Sequence, residues 1–368
     1  MTRQCDYDAI SMTFVANSTS SRTDTTNEDK NLDQLEPSYM YTMLFKDIIL
    51  EIDEDDDKPL QDLVAYCRSK DISESELTYF KNKYRQHSAV WWYTCEMFLY
   101  GMLNYALRTF DLEVMTKTGF FIRNLHRQLQ QLHKEQSANF EKKFIVYRGQ
   151  GLSTEDFRHL QNTKGGLIAF NFFLSTSTEK NVSMGFIEGN LCKYEQNVGV
   201  LFIMTIDQSK ISPSSTPFAL IENESAIKTE NEILFSMHTV FRIGEMKQTT
   251  KDKRIWEVQL TITDDNDPQL APLVTYMKEE IEGREWYRMG QLMLKLQKFD
   301  DAELLYNQLF ENASSDSDRA YIYHHLGCLK TDQGKYEEAV TFYGKSLKIA
   351  LQTLNEDDPS LAPTYSNI

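Results

Sequence analysis

The sequence predicts an α+β domain followed by an all-α module of helical hairpins, and three observations carry that prediction. Apolar residues recur at helical spacing from Tyr39 to about Gln136. From Phe144 to Asp264 the period shortens to that of strands. Beyond about Pro268 the helical period returns, with an internal repeat of 37 residues.

A chain of 368 residues is long enough for about two or three domains, each with its own core. The expected divisions are a disordered tail over 1–37, a helical N-terminal region over 38–88 and the α+β domain over 89–265. A linker helix over 266–284 and the repeats over 285–368 follow. The tail is rich in Ser, Thr, Asn and Asp, so it buries too little apolar surface to offset its ordering entropy.

In the helical region, Ser73-Glu-Ser-Glu76 reads as a capping box, with Leu77, Phe80 and Tyr84 along one face behind it. Trp91 to Leu107 is apolar on nearly all sides, as for a helix buried against several neighbours. The next helix aligns Phe121, Leu125, Leu129 and Leu132. The acidic run Asp53-Glu-Asp-Asp-Asp57 has Lys58 where a calcium loop needs its turn Gly and Val64 where it needs its bidentate Glu. It reads as a solvated loop.

The strand region offers short apolar runs at Phe144–Arg148, Leu167–Ser175, Gly199–Ile206 and Glu232–Ser236, bounded by Gly, Ser or Asp. Trp256, Val258, Leu260 and Ile262 alternate cleanly, as in a half-buried strand. Between the first two runs, Ser153 can cap a short helix that has Asp156 at its third position.

At the C-terminal end, Gly290, Phe299, Ala302 and Tyr306 recur as Gly327, Tyr336, Ala339 and Tyr343. Small residues at such points let two helices approach closely, and the aromatics fill the groove between neighbours. The pattern resembles tetratricopeptide repeats. Ala362 to Ile368 begins a further copy at a 42-residue shift, as in the longer repeats of kinesin light chains. The sequence stops one residue before the next expected Gly, which suggests part of a longer protein.

A formal charge of −16 argues against nucleic acid as a partner, since such binding neutralises phosphates with Lys and Arg. Cys5, Cys67, Cys95, Cys192 and Cys328 are odd in number and form no CxxC pair, which fits free thiols in a reducing compartment. Met1 to Ser20 has no sustained apolar core, and no run of 18 apolar residues occurs. The expected location is therefore cytoplasmic, with no membrane partner. His87, His126, His133, His159 and His238 show no HExxH or Cys/His metal spacing, so no metal is expected and surface or helix-face roles suit them better. His324 and His325 fall in the repeats, where packing accounts for them.

Three sites in the strand region bear on chemistry together. Val146-Tyr-Arg-Gly149 ends an apolar strand with a cation beside a Gly. Phe173-Leu-Ser-Thr-Ser177 closes another, and Glu230-Asn-Glu232 opens the strand Ile233-Leu-Phe235. Singly each is weak: a strand-end Arg is usually a surface charge, and Ser-Thr-Ser is usually a turn. Their order, spacing and common setting, where an apolar strand meets a loop, give them weight.

On these motifs, over roughly residues 90 to 265, the sequence resembles the arginine-directed mono-ADP-ribosyltransferases, vertebrate ecto-enzymes and bacterial toxins of the Arg-Ser-Glu class. The resemblance implies a mixed β-sheet core, NAD as co-substrate, and an arginine-bearing acceptor protein. It implies that Arg148 holds the phosphates, for which a planar guanidinium is suited, and that the Gly149 backbone receives the nicotinamide amide. Glu232 would stabilise the positive charge that develops on the ribose and bond its hydroxyl, with Ser175 steadying the carboxylate. Thr176 and Ser177 complete the motif without a separate role.

Glu230 lies two residues earlier, roughly 7 Å away on the same face if both are extended, and would pair with the incoming guanidinium. The family carries Gln at this position where other acceptors are used. Ile221 to Thr229 would present the acceptor. Phe186 is placed like an aromatic that stacks on nicotinamide, and a core Phe on the helix Val182–Ile187 is an equal alternative. The insertion-like segment Gly189–Asn197 departs from the family pattern and puts the shape of the loop over NAD in question. Two other functions compete: a degenerate scaffold whose repeats bind a partner peptide or protein, and an NAD glycohydrolase.

Overall fold

The apolar spacing that predicts the helical lead-in is realised in six helices, α1 to α6: Pro37–Glu51, Asp57–Ser69, Glu74–Lys83, Ala89–Thr94, Phe98–Thr109 and Leu112–Gln136. They belong to a computed structural model that describes residues 12–15, 37–52, 55–212, 214, 216–227, 231–264, 266–281 and 285–368. The chain divides into two compact units, one ending at Met277 and the other starting at Lys278.

Leu77, Phe80 and Tyr84 are buried as the spacing predicts, but the capping box does not form. Ser73 occupies the N-cap position while its hydroxyl bonds Ser75 Oγ, and Glu76 Oε1 accepts from Phe98 N at 2.9 Å. That carboxylate is part of why the apolar stretch from Trp91 to Leu107 is two helices rather than one. It satisfies the first amide of α5 just where Cys95 turns to extended backbone.

The strands are β1 Met12–Val15, β2 Lys143–Leu152, β3 Leu167–Phe170, β4 Leu174–Ser177, β5 Val198–Asp207, β6 Phe218–Leu220, β7 Glu232–Phe235, β8 Thr239–Gln248 and β9 Ile255–Thr263. They form one mixed sheet in the order β1-β3-β8-β9-β5-β2-β4-β7-β6, with β5 parallel to β9 and the other pairs antiparallel. Ser153 Oγ caps α7, Thr154–Asn162, by accepting from Asp156 N at 3.0 Å. Helix α8, Lys180–Lys193, packs Ile187 and Leu191 against Leu201 of β5 and Ile255 of β9.

Two expectations change here. The run Leu167–Ser175 is not one strand: β3 pairs with β1 and β8, whereas β4 pairs with β2 and β7. Asn171 interrupts it, buried and donating Nδ2 to Thr13 Oγ1 at 2.8 Å. Met12–Val15, counted with the disordered tail, is a buried edge strand, because the strand formers Thr13, Phe14 and Val15 can pair with β3 despite their polar flanks. Among the histidines, His126 and His133 take helix-face places on α6, and both, like His238, are buried.

Beyond α9, Ala271–Glu280, the second unit holds the hairpins α10 Glu285–Lys295 with α11 Phe299–Glu311, and α12 Asp316–Asp332 with α13 Tyr336–Ala350, then α14 Ala362–Asn367. The repeat signature has a direct physical reading. A Cβ on Gly290 would meet the Tyr306 ring at 2.5 Å, and one on Gly327 the Tyr343 ring at 2.5 Å. Each glycine makes room for the aromatic of its own hairpin.

Two outcomes are expected. Gly327→Ala should destabilise the repeat unit by about 1–3 kcal/mol through overpacking. Gly344→Ala, where a Cβ meets nothing within 4 Å, should stabilise by up to about 1 kcal/mol. Denaturant unfolding of the two variants compares them, and equal effects would remove the packing explanation. In the first unit, burial and then nearby Lys46 push the His126 pKa down from 6.5 to about 4. The fold therefore holds neutral imidazole while the unfolded chain takes up a proton. The resulting stability, roughly 3 kcal/mol at full expression, is present above about pH 6.5 and lost as pH falls toward 4. Thermal melts of His126→Gln should show a shallower decline over that window, and an unchanged slope would refute the assignment.

Candidate active site

Strand β2 is held along its whole length by β5, from Lys143 opposite Asp207 to Leu152 opposite Val198. On its other side it shares a single bridge with β4, Tyr147 opposite Ser177. Strand β4 in turn pairs with β7, Ser177 opposite Glu232. One row thus crosses three strands through Tyr147, Ser177 and Glu232. Past this row β2 and β4 part, so Arg148 to Leu152 have a strand partner on one side only.

Arg148 reaches into the gap. Its Nη1 donates to Ser175 O at 2.8 Å and its Nε to Gln150 Oε1 at 3.3 Å. The guanidinium carbon lies 5.3 Å from the centroid of the Phe172 ring. Among the described residues no partner takes Nη2, and the side chain is only partly buried. Ser175 Oγ donates to Glu232 Oε1 at 2.6 Å. Arg148, Ser175 and Glu232, far apart in the chain, are therefore joined by consecutive hydrogen bonds.

Glu232 is only 7% exposed, and a carboxylate so placed needs hydrogen-bond donors to offset lost hydration. Neighbouring residues fix the approach to it. Asn231 has a left-handed backbone, φ 58°, which Asn tolerates better than most residues. Its amide donates to Glu179 Oε1 at 3.3 Å, and its carbonyl accepts from Thr178 N at 3.4 Å. Thr176 Oγ1 donates to Ile233 O, and Ser177 Oγ accepts from Glu179 N. These hydroxyls brace the strand pair and the turn into α8.

Gly149 and Gly151 lie under α8: a Cβ on Gly149 would run into Ser183 O, and one on Gly151 into Asn190 Oδ1. Phe186 is 40% exposed on α8, so the core alternative is excluded for it, and Ile187 and Leu191 fill the core instead. The segment Gly189–Asn197 is ordered as helix and turn. It continues α8 to Lys193 and closes with a turn in which Asn197 Nδ2 donates to Asn190 Oδ1. Glu230 lies outside the described residues, as do Lys228 and Thr229.

Sequence reasoning missed Gln150, Phe172, Glu179 and Asn231. For Gln150 a signal existed, because residues two apart on a strand share a face. For Phe172 none did, since it looked like one more member of an apolar run.

A family model described as NAD:arginine ADP-ribosyltransferase matches residues 76–267, more than half of the chain. The chain belongs to that family. The transferase accordingly uses NAD as co-substrate and transfers ADP-ribose, and among the described residues no cluster of His, Cys, Asp or Glu could hold a metal ion. A tetratricopeptide repeat model matches residues 319–360, over α12 and α13.

Similar solved structures include the Vis toxin, an ADP-ribosyltransferase from Vibrio splendidus, at 18% identity and TM-score 0.33, covering 59% of this chain and 90% of that one. An ADP-ribosyltransferase from Clostridium botulinum is similar at 11% identity and TM-score 0.34, covering 53% and 97%. Another ADP-ribosyltransferase, from Pseudomonas syringae pv. Tomato, gives 15% identity and TM-score 0.36 over 66% and 100%. No curated protein matches the chain.

Ser175→Ala removes one hydrogen bond to a charged group, worth about 1.5–3 kcal/mol. Nicotinamide release by this variant should slow roughly 10- to 100-fold in kcat, and its melting temperature should fall by about a few degrees with the protein still folded in the assay. A wild-type rate in Ser175→Ala would show that the bond to Glu232 does not serve the reaction.

Proposed function

We propose that the transferase moves a single ADP-ribose from NAD to an arginine side chain of a protein in the cytoplasm and releases nicotinamide. The observation that carries this reading is the unbroken line from Arg148 through Ser175 to Glu232 at the point where β2 and β4 part.

Arg148 holds the pyrophosphate with the donors its protein partners leave over, the Gly149 backbone receives the nicotinamide amide, and exposed Phe186 stacks on the nicotinamide ring. The bond between nicotinamide nitrogen and ribose C1′ breaks, and its electron pair leaves with nicotinamide. The sugar is left with positive charge, which the Glu232 carboxylate offsets while bonding a ribose hydroxyl. A guanidinium nitrogen of the acceptor then bonds C1′ and gives up its proton to Glu230. Water in place of the acceptor yields NAD hydrolysis as a side activity. The repeats hold a peptide or protein partner.

An inactive scaffold is disfavoured by the intact hydrogen-bonded set. Purified protein that binds NAD but releases no nicotinamide would establish the scaffold instead. Labelled NAD with an arginine polymer as acceptor tests the assignment of roles. Glu232→Gln is expected to abolish label transfer and nicotinamide release alike. Glu230→Gln is expected to lose transfer to arginine and to keep much of the release. Equal loss of both activities in the Glu230 variant would refute the division of labour between the two carboxylates.

A further inference from the structure

The turn between β6 and β7 begins and ends beside Glu232, since Ile221 N donates to Glu232 O at 3.1 Å. Within it, Glu224 N and Ser225 N both donate to Ile221 O, and Ser225 Oγ donates to Ile227 O at 2.6 Å. This local closure leaves the far side of the turn to be fixed from outside. The helical lead-in does so at two points. Ala226 N donates to Thr94 Oγ1 at 2.8 Å, and Gln128 Nε2 donates to Glu224 Oε2 at 3.4 Å.

Thr94 is suited to this. It ends α4, is only 2% exposed, and its hydroxyl donates back into the helix toward Val90 O and Trp91 O, which leaves an oxygen lone pair for Ala226. Gln128 of α6 clasps the other end of the same helix, accepting from Val90 N at 2.8 Å while it reaches Glu224. Helix α4 therefore stands between α6 and the turn as a spacer whose two ends are both tied.

We propose that Thr94, with Gln128 behind it, is a positioning residue for the acceptor. It holds the turn Ile221–Ile227 in the place where the turn forms the acceptor's wall beside Glu232. The inference rests on the arginine-transfer reading and adds a function for the helical lead-in. Breaking the NAD bond uses Arg148, Ser175 and Glu232, which bond one another across the sheet, whereas Thr94 and Gln128 bond the turn. A transfer step, by contrast, requires the acceptor nitrogen to meet C1′ within a narrow geometry, and a displacement of about 1 Å can cost a hundredfold.

The test uses the full chain with NAD and an arginine polymer. Thr94→Val keeps the branched shape and removes the acceptor oxygen, and Thr94→Ser restores the hydroxyl. In Thr94→Val, KM for the polymer should rise about fivefold or more, while nicotinamide release without acceptor stays within about twofold of the parent. Thr94→Ser should return KM to the parent value, and Gln128→Met should shift it in the same direction as Thr94→Val. Melting curves establish that each variant is folded; should Thr94→Val not fold, Gln128→Met carries the test. A parent that transfers to arginine alongside folded variants with unchanged polymer KM overturns this inference alone. So does a loss of transfer and release in equal proportion. A parent that releases nicotinamide but modifies no arginine overturns the proposed function and this inference with it.

Discussion

The site depends on a sheet that opens at one row. Strands β2 and β4 meet only where Tyr147 faces Ser177, and β7 adds Glu232 to the same row. Had the two strands stayed paired, their amides and carbonyls would have satisfied each other and Ser175 O would have been taken. Because they part, that carbonyl accepts from Arg148 instead, and the cation fills a place a ladder bond would have occupied. The opening is the reason for the arginine to point into it, and on the proposed reading it is also the room for a dinucleotide. A buried carboxylate one row away then becomes tolerable, since the Ser175 hydroxyl supplies a short bond at 2.6 Å.

Such an opening weakens the sheet locally, and helix α6 compensates along the nearby edge. Strand β6 is the outermost strand on this side. Its Phe218 N donates to His133 Nδ1 at 3.1 Å, and Leu220 exchanges two bonds with the side chain of Gln136, at 2.9 and 3.0 Å. Two turns further back, His126 bonds Ser236 Oγ at 2.7 Å just past β7. These α6 side chains take the place of a further strand, which covers an edge that would otherwise invite pairing with another chain. His133 can accept from a backbone amide only with Nδ1 unprotonated, and burial keeps its pKa below the usual value, so the edge cover and the neutral histidines are one device.

How much of this was legible in the sequence follows from which forces are local. The hairpin aromatics and glycines were readable because a helix pair needs its small and large residues at fixed spacing, and Gly327 under Tyr343 is a contact within one hairpin. The motifs at Arg148, Ser175 and Glu232 stood out because each sets polar residues against an apolar run, although β2 continues past Arg148 to Leu152 and Glu232 opens β7. What could not be read was decided by distant partners. The division of Leu167–Ser175 into two strands rests on Asn171 meeting Thr13, 158 residues away in sequence. The break between α4 and α5 rests on a carboxylate from α3. Strand β6 is three residues long, and its amides are satisfied partly by a helix, so alternation had no length in which to appear.

Gly149 illustrates how packing and chemistry come to share one residue. Its place in the motif suggests a ligand contact, yet α8 alone would require it, because any Cβ there collides with the carbonyl of Ser183. Gly151 and Gly199 clear space for the same helix, against Asn190 and Ile187, so α8 lies across β2 and β5 on a bed of three glycines. That close approach sets where the N-terminal part of α8 runs, and with it where Phe186 emerges into solvent while Ile187 turns inward. A larger residue at 149 would lift the helix from the strand and move Phe186 with it. The glycine next to Arg148 therefore fixes how closely α8 approaches β2.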